Sequence, residues 1–432
     1  MASTVASRRV LRLQEYGSPS DFHLSKQELE NLATANSRWS SALGLSSPPL
    51  RIELTETGAR LRAEGVTGVV RVGGIDIEIA PKFLDPSSPN WQSALWRILA
   101  VAEGGGIVGS LTSGTPDNIE GLPDVLADVF LESFRRGSTR GFPNGYRTVN
   151  SSGTVVRGSF DTSRVSEWLA APWRIPFITD QLVEDTPLSR IVRWTARVLS
   201  SSVSSHDRSK ALNYIYGSLS HIGDTPPSLY EARRLKISAQ YRALEPAVTI
   251  GILLMEGAGL EHGGGTFHIP GFLWNSDVVY EKFLFRMCQL AGVNHGLTVG
   301  KESYYFGDLV FGEGPQLQTI PDIVFRDHHH NVVAIADSKY KKLGDRPKSN
   351  DSYQIITAAH VLGSSKIALL FPSDGLLERR KWRIQSKLGA DDIYLSALPI
   401  NLMLMRNPTG ANDIQRHISA WLDEVETLPR RL

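Results

Sequence analysis

Between residues 275 and 371 the sequence changes period in a fixed order, and this stretch restricts the fold more than any other. Asn275 or Ser276 can cap a helix that reaches Ala291, and Gly292 ends it. Residues 297–306 read as a strand, 321–325 as a second and 332–338 as a third, the last two joined by a turn over 327–331. Residues 351–362 read as a helix closed by Gly363. Residues 367–371 are apolar at every position, as in a strand covered on both faces. The order is α-β-β-β-α-β, which is a compact α/β domain. The segment 261–270, with its Gly263-Gly264-Gly265 run, is the best boundary before it.

Upstream the pattern is different. Ser25 and Glu28 form a capping box that predicts a helix to about Leu43. Short alternating runs at 50–54, 68–72 and 75–79 predict strands. Gly73-Gly74 signals a tight hairpin between the last two, and Pro81 stops its second strand. Residues 104–123, rich in Gly, Ser, Thr and Pro, read as a loop. Apolar residues recur at roughly helical spacing over 182–200 and 229–244; Pro246 interrupts, and 247–255 can continue as helix. The expected architecture is a multidomain α+β chain. It has a small β-rich N-terminal domain with helices over 1–165, a helical region over 166–265 and the α/β domain over 270–432.

Composition narrows the class. The 432 residues are 41% hydrophobic, enough for two to four domains with real cores and too many for a mostly disordered chain. A net charge of +1 gives no whole-molecule basic field, so nucleic-acid contact must come from a local patch. The single cysteine, Cys288, excludes an intramolecular disulfide framework and multi-cysteine zinc sites, and on its helix it reads as a core residue. No apolar stretch approaches the roughly 20 residues of a membrane span, and the N-terminus lacks a signal-peptide core. The expectation is a soluble cytoplasmic protein.

Chemistry concentrates in the α/β domain. Asp322 starts one strand and Asp337-Ser338-Lys339 ends the next. If the two form a hairpin about 327–331, both carboxylates reach one rim of the sheet. Paired carboxylates repel unless a cation neutralises them, and hard oxygen ligands suit Mg²⁺ or Mn²⁺. Lys339, two residues beyond Asp337, leaves the same face. Its ammonium can orient a water and stabilise charge on a phosphoryl oxygen. On the preceding helix, Lys282, Arg286 and Gln289 mark a solvent stripe. Glu281 falls roughly 100° away, beside Phe285 and Cys288, so it turns inward and needs a metal or a lysine as partner.

This constellation resembles the PD-(D/E)xK nuclease pattern, and the resemblance extends beyond it. Asp351-Ser352-Tyr353-Gln354 is similar to the D-x-Y-Q segment of McrC-type nucleases, the nuclease subunits of McrBC 5-methylcytosine-directed restriction systems. Ile77-Glu78-Ile79-Ala80-Pro81-Lys82 resembles the family's E-I-x-P-K strand end, and residues 156–161 its L-R-G-x-hydrophobic-D segment. Residues 185–190 resemble its D-T-P-L-N-R helix start, and 280–283 its F-E-x-F helix. The similarity spans roughly Arg71 to Phe371 in the family's order. Two departures stand out: Ser189 occupies a position usually Asn, and Ala358 one that is often aromatic. The second weighs against a base- or backbone-contacting role for that turn, though not against the metal site.

The resemblance implies a Mg²⁺-dependent DNA endonuclease with Mn²⁺ as alternative. Asp322, Asp337 and the Ser338 carbonyl would be metal ligands, with Lys339 acting on the water and the transition state. Glu281 would support the metal or its water shell, and Gln354 would position Lys339 or the DNA backbone. It also implies a separate McrB-like AAA+ GTPase ring, into which the N-terminal part docks and whose hydrolysis it stimulates. In agreement, the sequence has no G-x-x-x-x-G-K-[ST] loop, so the chain itself would bind no nucleotide. Two alternatives keep the fold: an activator of an NTPase ring with little or no cleavage, and a stand-alone nuclease of repair or transposition.

Basic residues near the motif fit double-stranded DNA as substrate. Residues 321–390 carry twelve Lys/Arg against seven Asp/Glu. Lys341, Lys342, Arg346 and Lys348 follow the catalytic lysine and read as phosphate contacts, with Arg379, Arg380, Lys381 and Arg383 as a second cluster. Arg135, Arg136 and Arg140 are open to a docking role. His328-His329-His330 falls in the turn, where successive side chains rarely converge on a metal, and reads as solvated loop.

Overall fold

A computed structural model of the chain describes residues 9–56, 58–72, 75–84, 86–87, 91–102, 122–203, 205–257, 271–307, 317–375, 378–385 and 392–424. The Gly73-Gly74 turn, the two Gly-rich clusters, and most of the expected loop and linker lie outside these residues. The chain divides into two compact units, Met1–Val125 with Glu256–Leu432, and Leu126–Met255. The three consecutive segments expected from the sequence do not follow these units. The reason is a strand the pattern did not show: Gly271–Asn275 returns to pair with Val66–Val72.

The first unit holds two mixed or antiparallel sheets from its N-terminal part. In the four-stranded sheet Arg9–Gln14 runs parallel to Ile75–Ala80, which pairs antiparallel with Val66–Val72, as the hairpin pattern predicted. Ser20–Phe22, Gly58–Ala63 and Leu50–Thr55 form a small antiparallel sheet beside it. The helix Lys26–Ala42 begins with the expected capping box, in which Ser25 accepts from the Glu28 amide and Glu28 from the Ser25 amide. A cap of this kind is worth about 1 kcal/mol. Its buried Leu32 and Trp39 join Leu11, Leu13, Leu61, Ile77 and Leu273 in one core.

The same unit contains a six-stranded sheet. Its order is Thr298–Gly300, Ile323–Arg326, Val332–Ser338, Lys366–Ser373, Ile393–Asn401, Arg380–Ile384. Lys366–Ser373 is buried at every position and parallel to both neighbours, as its unbroken apolar run requires. The helix Ser349–Leu362 ends at Gly363, whose φ of +66° suits glycine far better than a β-carbon residue. The stretch 297–306, expected as one strand, is two: Thr298–Gly300 joins the large sheet and Tyr304–Gly307 pairs with Leu317–Thr319. The helix Trp91–Ala102 is apolar enough to be buried along nearly its whole length. Its Arg97 donates to the Met405 and Arg406 carbonyls, at 3.0 and 2.6 Å.

The second unit is helical only in part. Gly145–Gly153, Ile175–Val183 and Ser159–Phe160 form an antiparallel sheet, with Ile175–Val183 in the centre. Its outer strand, GYRTVNSSG, has no buried residue, so it carries no alternation of apolar side chains. Gly158 has φ +139°, and a β-carbon there would lie 2.1 Å from the Ile178 carbonyl oxygen. Of the helices, Pro187–Ser202 starts later than the 182–200 pattern implied, because Leu182 belongs to the sheet. The 229–244 pattern splits into Leu229–Arg233 and a tighter turn Ala239–Leu244. Pro246 does not interrupt; it sits in the first turn of Glu245–Gly257, where a missing N–H costs nothing. No helix among the described residues is long and apolar enough to cross a membrane.

Candidate active site

The turn over 327–331 sets the site. Asp327 accepts from the His329 and Asn331 amides at 2.8 Å, and His330 takes a left-handed φ of +65°. The histidines there are exposed, as expected of a solvated loop. From this turn Ile323–Arg326 and Val332–Ser338 pair antiparallel with Ile323 opposite Ala336, which brings Asp322 beside Asp337. A bulge at Phe325 and Arg326 absorbs the unequal arms of the hairpin.

Asp322 is locked by the next residue of the other strand. The Ser338 amide and hydroxyl both donate to its Oδ2, at 3.0 and 2.7 Å. Burial opposes its charge, but these bonds and Lys301 outweigh it and hold Asp322 below the ordinary carboxylate range. Asp337 is nearly fully buried, and burial together with the Asp322 charge pushes it up to about 6, Lys339 opposing. Lys339 ion-pairs with Asp337 Oδ2 and donates to Gln354 Oε1 at 3.2 Å. Its own amide donates to the Leu370 carbonyl, which fixes the backbone where the strand ends. The structure thus brings Asp322, Asp337, Ser338, Lys339 and Gln354 into one cluster.

Glu281 differs from expectation. Its side chain is 40% exposed, not turned inward, because the helix Ser276–Asn294 buries Tyr280, Phe283, Leu284, Met287 and Cys288 and leaves Glu281 at the margin. Its partner is Lys301, whose Nζ lies 2.5 Å from Glu281 Oε1 and 3.0 Å from Asp322 Oδ1. Sequence reading missed Lys301. The one available signal was Gly300, which ends a strand and lets the chain turn its next side chain to the site.

The donor set suits a hard divalent cation. Two carboxylates in contact, one locked and one destabilised in its charged form, would both gain from one. Among the described residues no three His, Cys, Asp or Glu side chains gather as a metal cluster. That is compatible with Mg²⁺, which is usually held by one or two carboxylates with water completing its shell. Cys288 is fully buried, which pushes its thiol up and leaves it a core residue.

The basic residues separate into two kinds. Lys341 is ion-paired with Asp351 at the start of the helix that carries Gln354. Lys342, Arg346 and Lys348 are exposed, Lys348 at the cap position of that helix. The second cluster is largely tied up: Arg379 and Lys381 pair with Glu424, Arg383 with Asp392, and Arg380 donates to the Gly344 and Asp345 carbonyls. Arg135 and Arg136 both pair with Glu132.

A family model described as McrBC 5-methylcytosine restriction system component matches residues 61–372. The chain belongs to this McrBC family. A chain from the half-complex of Thermococcus gammatolerans McrB AAA+ hexamers with bound McrC has the same fold. Its TM-score is 0.61 at 16% identity, over 95% of this chain and 99% of that one. A chain of the cryo-EM structure of the T. gammatolerans McrBC complex matches at 18% identity, over 65% of this chain and 87% of that one, with a TM-score of 0.46. No curated protein matches.

Several segments that carry the McrC resemblance do structural work. Asp185 takes a bidentate bond from Arg190, both contacts 2.7 Å, and one from the Gly223 amide, which together hold it down at about 2. Thr186 caps the helix and bonds the buried Ser189, the position where the family usually has Asn. Glu78 is buried and paired with Arg12. Ala358 is buried with Ile335, Ile355 and Ile367, so the missing aromatic leaves a packed core position rather than a bare surface.

Proposed function

We propose that the chain is a Mg²⁺-dependent DNA endonuclease of the PD-(D/E)xK type, the cleaving subunit of an McrBC-like restriction system. The observation that carries this reading is the cluster of Asp322, Asp337, Lys339 and Gln354 at one sheet rim. Asp322, Asp337 and the Ser338 carbonyl would hold the metal, which when bound would polarise the phosphoryl oxygens and a water. Lys339 orients that water and meets the charge that grows on the phosphate; Gln354 holds the ammonium in place. Glu281 supports the water shell from the helix. The water oxygen bonds to phosphorus as the bond to the 3′ oxygen breaks. One water proton ends on that oxygen, leaving 5′-phosphate and 3′-hydroxyl ends. Mn²⁺ would substitute for Mg²⁺.

The NTPase would be supplied by a separate AAA+ GTPase ring. Support comes from the fold likeness to a chain of an assembly of McrB hexamers with bound McrC. It also comes from the second unit, whose sheet exposes Tyr146 and Leu182 on paired positions of neighbouring strands and whose adjoining segments expose Val155, Leu169 and Trp173.

The test uses plasmid DNA, Mg²⁺ and NTP, with and without any AAA+ NTPase encoded beside this gene, methylated and unmethylated DNA in parallel. Cleavage that requires both the partner and Lys339 is the expected result. Cleavage unchanged in Lys339→Ala places the active site elsewhere. Stimulated NTP hydrolysis with no nicking at all favours an activator, and cleavage without any partner a stand-alone nuclease.

A further inference from the structure

A cavity in the first unit lies outside the catalytic cluster but begins one residue from it. It has a volume of about 490 Å³, and Glu15, Tyr16, Lys82, Asp277, Tyr340 and Lys342 are on its wall. Tyr340 directly follows Lys339, whereas Glu15, Tyr16 and Lys82 come from the far end of the chain. The site is built rather than incidental. Tyr340 donates to Glu15 Oε2 at 2.6 Å, and the Lys82 amide donates to the same oxygen at 3.3 Å. The rings of Tyr280 and Phe83 pack on Tyr340, with centroids 5.2 and 5.8 Å away.

Lys82 is the unusual group. Its ammonium lies 3.7 Å from the Tyr340 ring centroid and 5.0 Å from that of Tyr16, and it donates to the Tyr340 carbonyl. An ammonium has three donors, and no carboxylate among the described residues forms an ion pair with Lys82. Its nearest acid, Glu15, is buried, and burial pushes it up to about 7, so much of its charge is lost at neutral pH. Asp277, also raised by burial, is the opposing charge on the wall, against Lys82 and the exposed Lys342. Lys341 faces the cavity too but spends its charge on Asp351.

A half-buried cation with spare donors and no ion-pair partner among the described residues, together with a second lysine, forms a receptor for an anion. The catalytic lysine is the neighbour of one wall. A strand held there carries its next phosphates at a rise of about 3.4 Å per nucleotide toward the residues that follow. We propose that this cavity holds a backbone phosphate of the DNA strand being cut, with Lys82 and Lys342 as its ligands. The inference rests on the nuclease reading. It gives the N-terminal sheet a part in substrate binding as well as any part in docking.

The experiment is fluorescence anisotropy of a labelled DNA duplex with the full-length chain, Ca²⁺ replacing Mg²⁺ to prevent cleavage, across a salt series. Each neutralised phosphate contributes about 0.9 to the slope of log K against log salt. Lys82→Met and Lys342→Met should each weaken binding and lower the slope, the double variant by roughly that amount, and Lys82→Arg should restore the wild-type values. Lys342 is exposed and can be removed without a folding penalty, so the pair stays decisive if Lys82→Met unfolds. Slopes equal to wild type in Lys342→Met and in a folded Lys82 variant overturn the assignment, and Lys339-dependent cleavage then leaves the nuclease reading standing. Loss of inorganic phosphate binding with an unchanged DNA slope makes the cavity a free-anion site and also overturns it. Absence of DNA binding by the wild-type chain in any salt overturns the assignment, while the nuclease reading stands or falls with the partner-dependent cleavage assay.

Discussion

Lys339 touches both Asp337 and Gln354, so its removal should separate chemistry from folding. Lys339→Ala is expected to lower cleavage by at least about 10²-fold with circular dichroism and Tm essentially unchanged; a matching fall in Tm would mean that the side chain serves the fold instead. Glu15 makes a different prediction. Its folded-state pKa of about 7 exceeds the ordinary 4.5, so the unfolded chain releases its proton first. The contribution of Glu15 to stability should therefore be fully present below pH 4.5, fall as pH rises toward 7 and level off beyond. In Glu15→Gln that decline should shrink, as read from urea midpoints across the range; parallel curves for the two proteins would contradict the burial argument. The pairing of Asp322 with Asp337 was legible because a turn flanked by two strands fixes which residues share a rim, and Lys339 follows by alternation. Lys301 was not legible, because its position depends on a chain break inside an apparently continuous strand. Lys82 was hidden for another reason: its partner carbonyl is Tyr340, far along the chain, and no local pattern encodes that contact.

Elements with strong punctuation matched the sequence. The capping box at Ser25, the Asn275 cap and the Gly363 stop all mark real helix ends, since each satisfies backbone groups that a helix leaves unpaired. Elements without an apolar face did not show. The polar strand Gly145–Gly153 is held by backbone pairing to Ile175–Val183, and pairing of that kind leaves no period in the sequence. In this sheet Gly158→Ala places a β-carbon against the Ile178 carbonyl, so a loss of about 1–3 kcal/mol is expected. Differential hydrogen exchange should localise it to residues 145–183; a thermal midpoint equal to wild type would show that the strand can shift to accept it. Gly363→Ala, which must hold a left-handed φ with no such clash, should cost only about 1 kcal/mol by the same melting experiment.

At the scale of the molecule, the unit that carries the cluster is drawn from both ends of the chain. A fragment of residues 271–432 keeps the six-stranded sheet but loses the Trp91–Ala102 helix, whose Arg97 ties down the carbonyls of Met405 and Arg406. It should bind a hydrophobic dye and melt without cooperativity; a sharp transition at the full-length Tm would show that the C-terminal part is an independent domain after all. This arrangement has a consequence in time. On a ribosome adding roughly 5–20 residues per second, Lys82 is made about 13–52 s before Tyr340, and the whole Leu126–Met255 unit is made in between. The strand Val66–Val72 likewise waits for Gly271–Asn275 before its outer edge is covered. The nascent chain thus carries an open sheet edge and a bare helix face for much of its synthesis, and the Asp322, Asp337 and Lys339 cluster is made late, with the strands Lys366–Ser373, Arg380–Ile384 and Ile393–Asn401 still to follow.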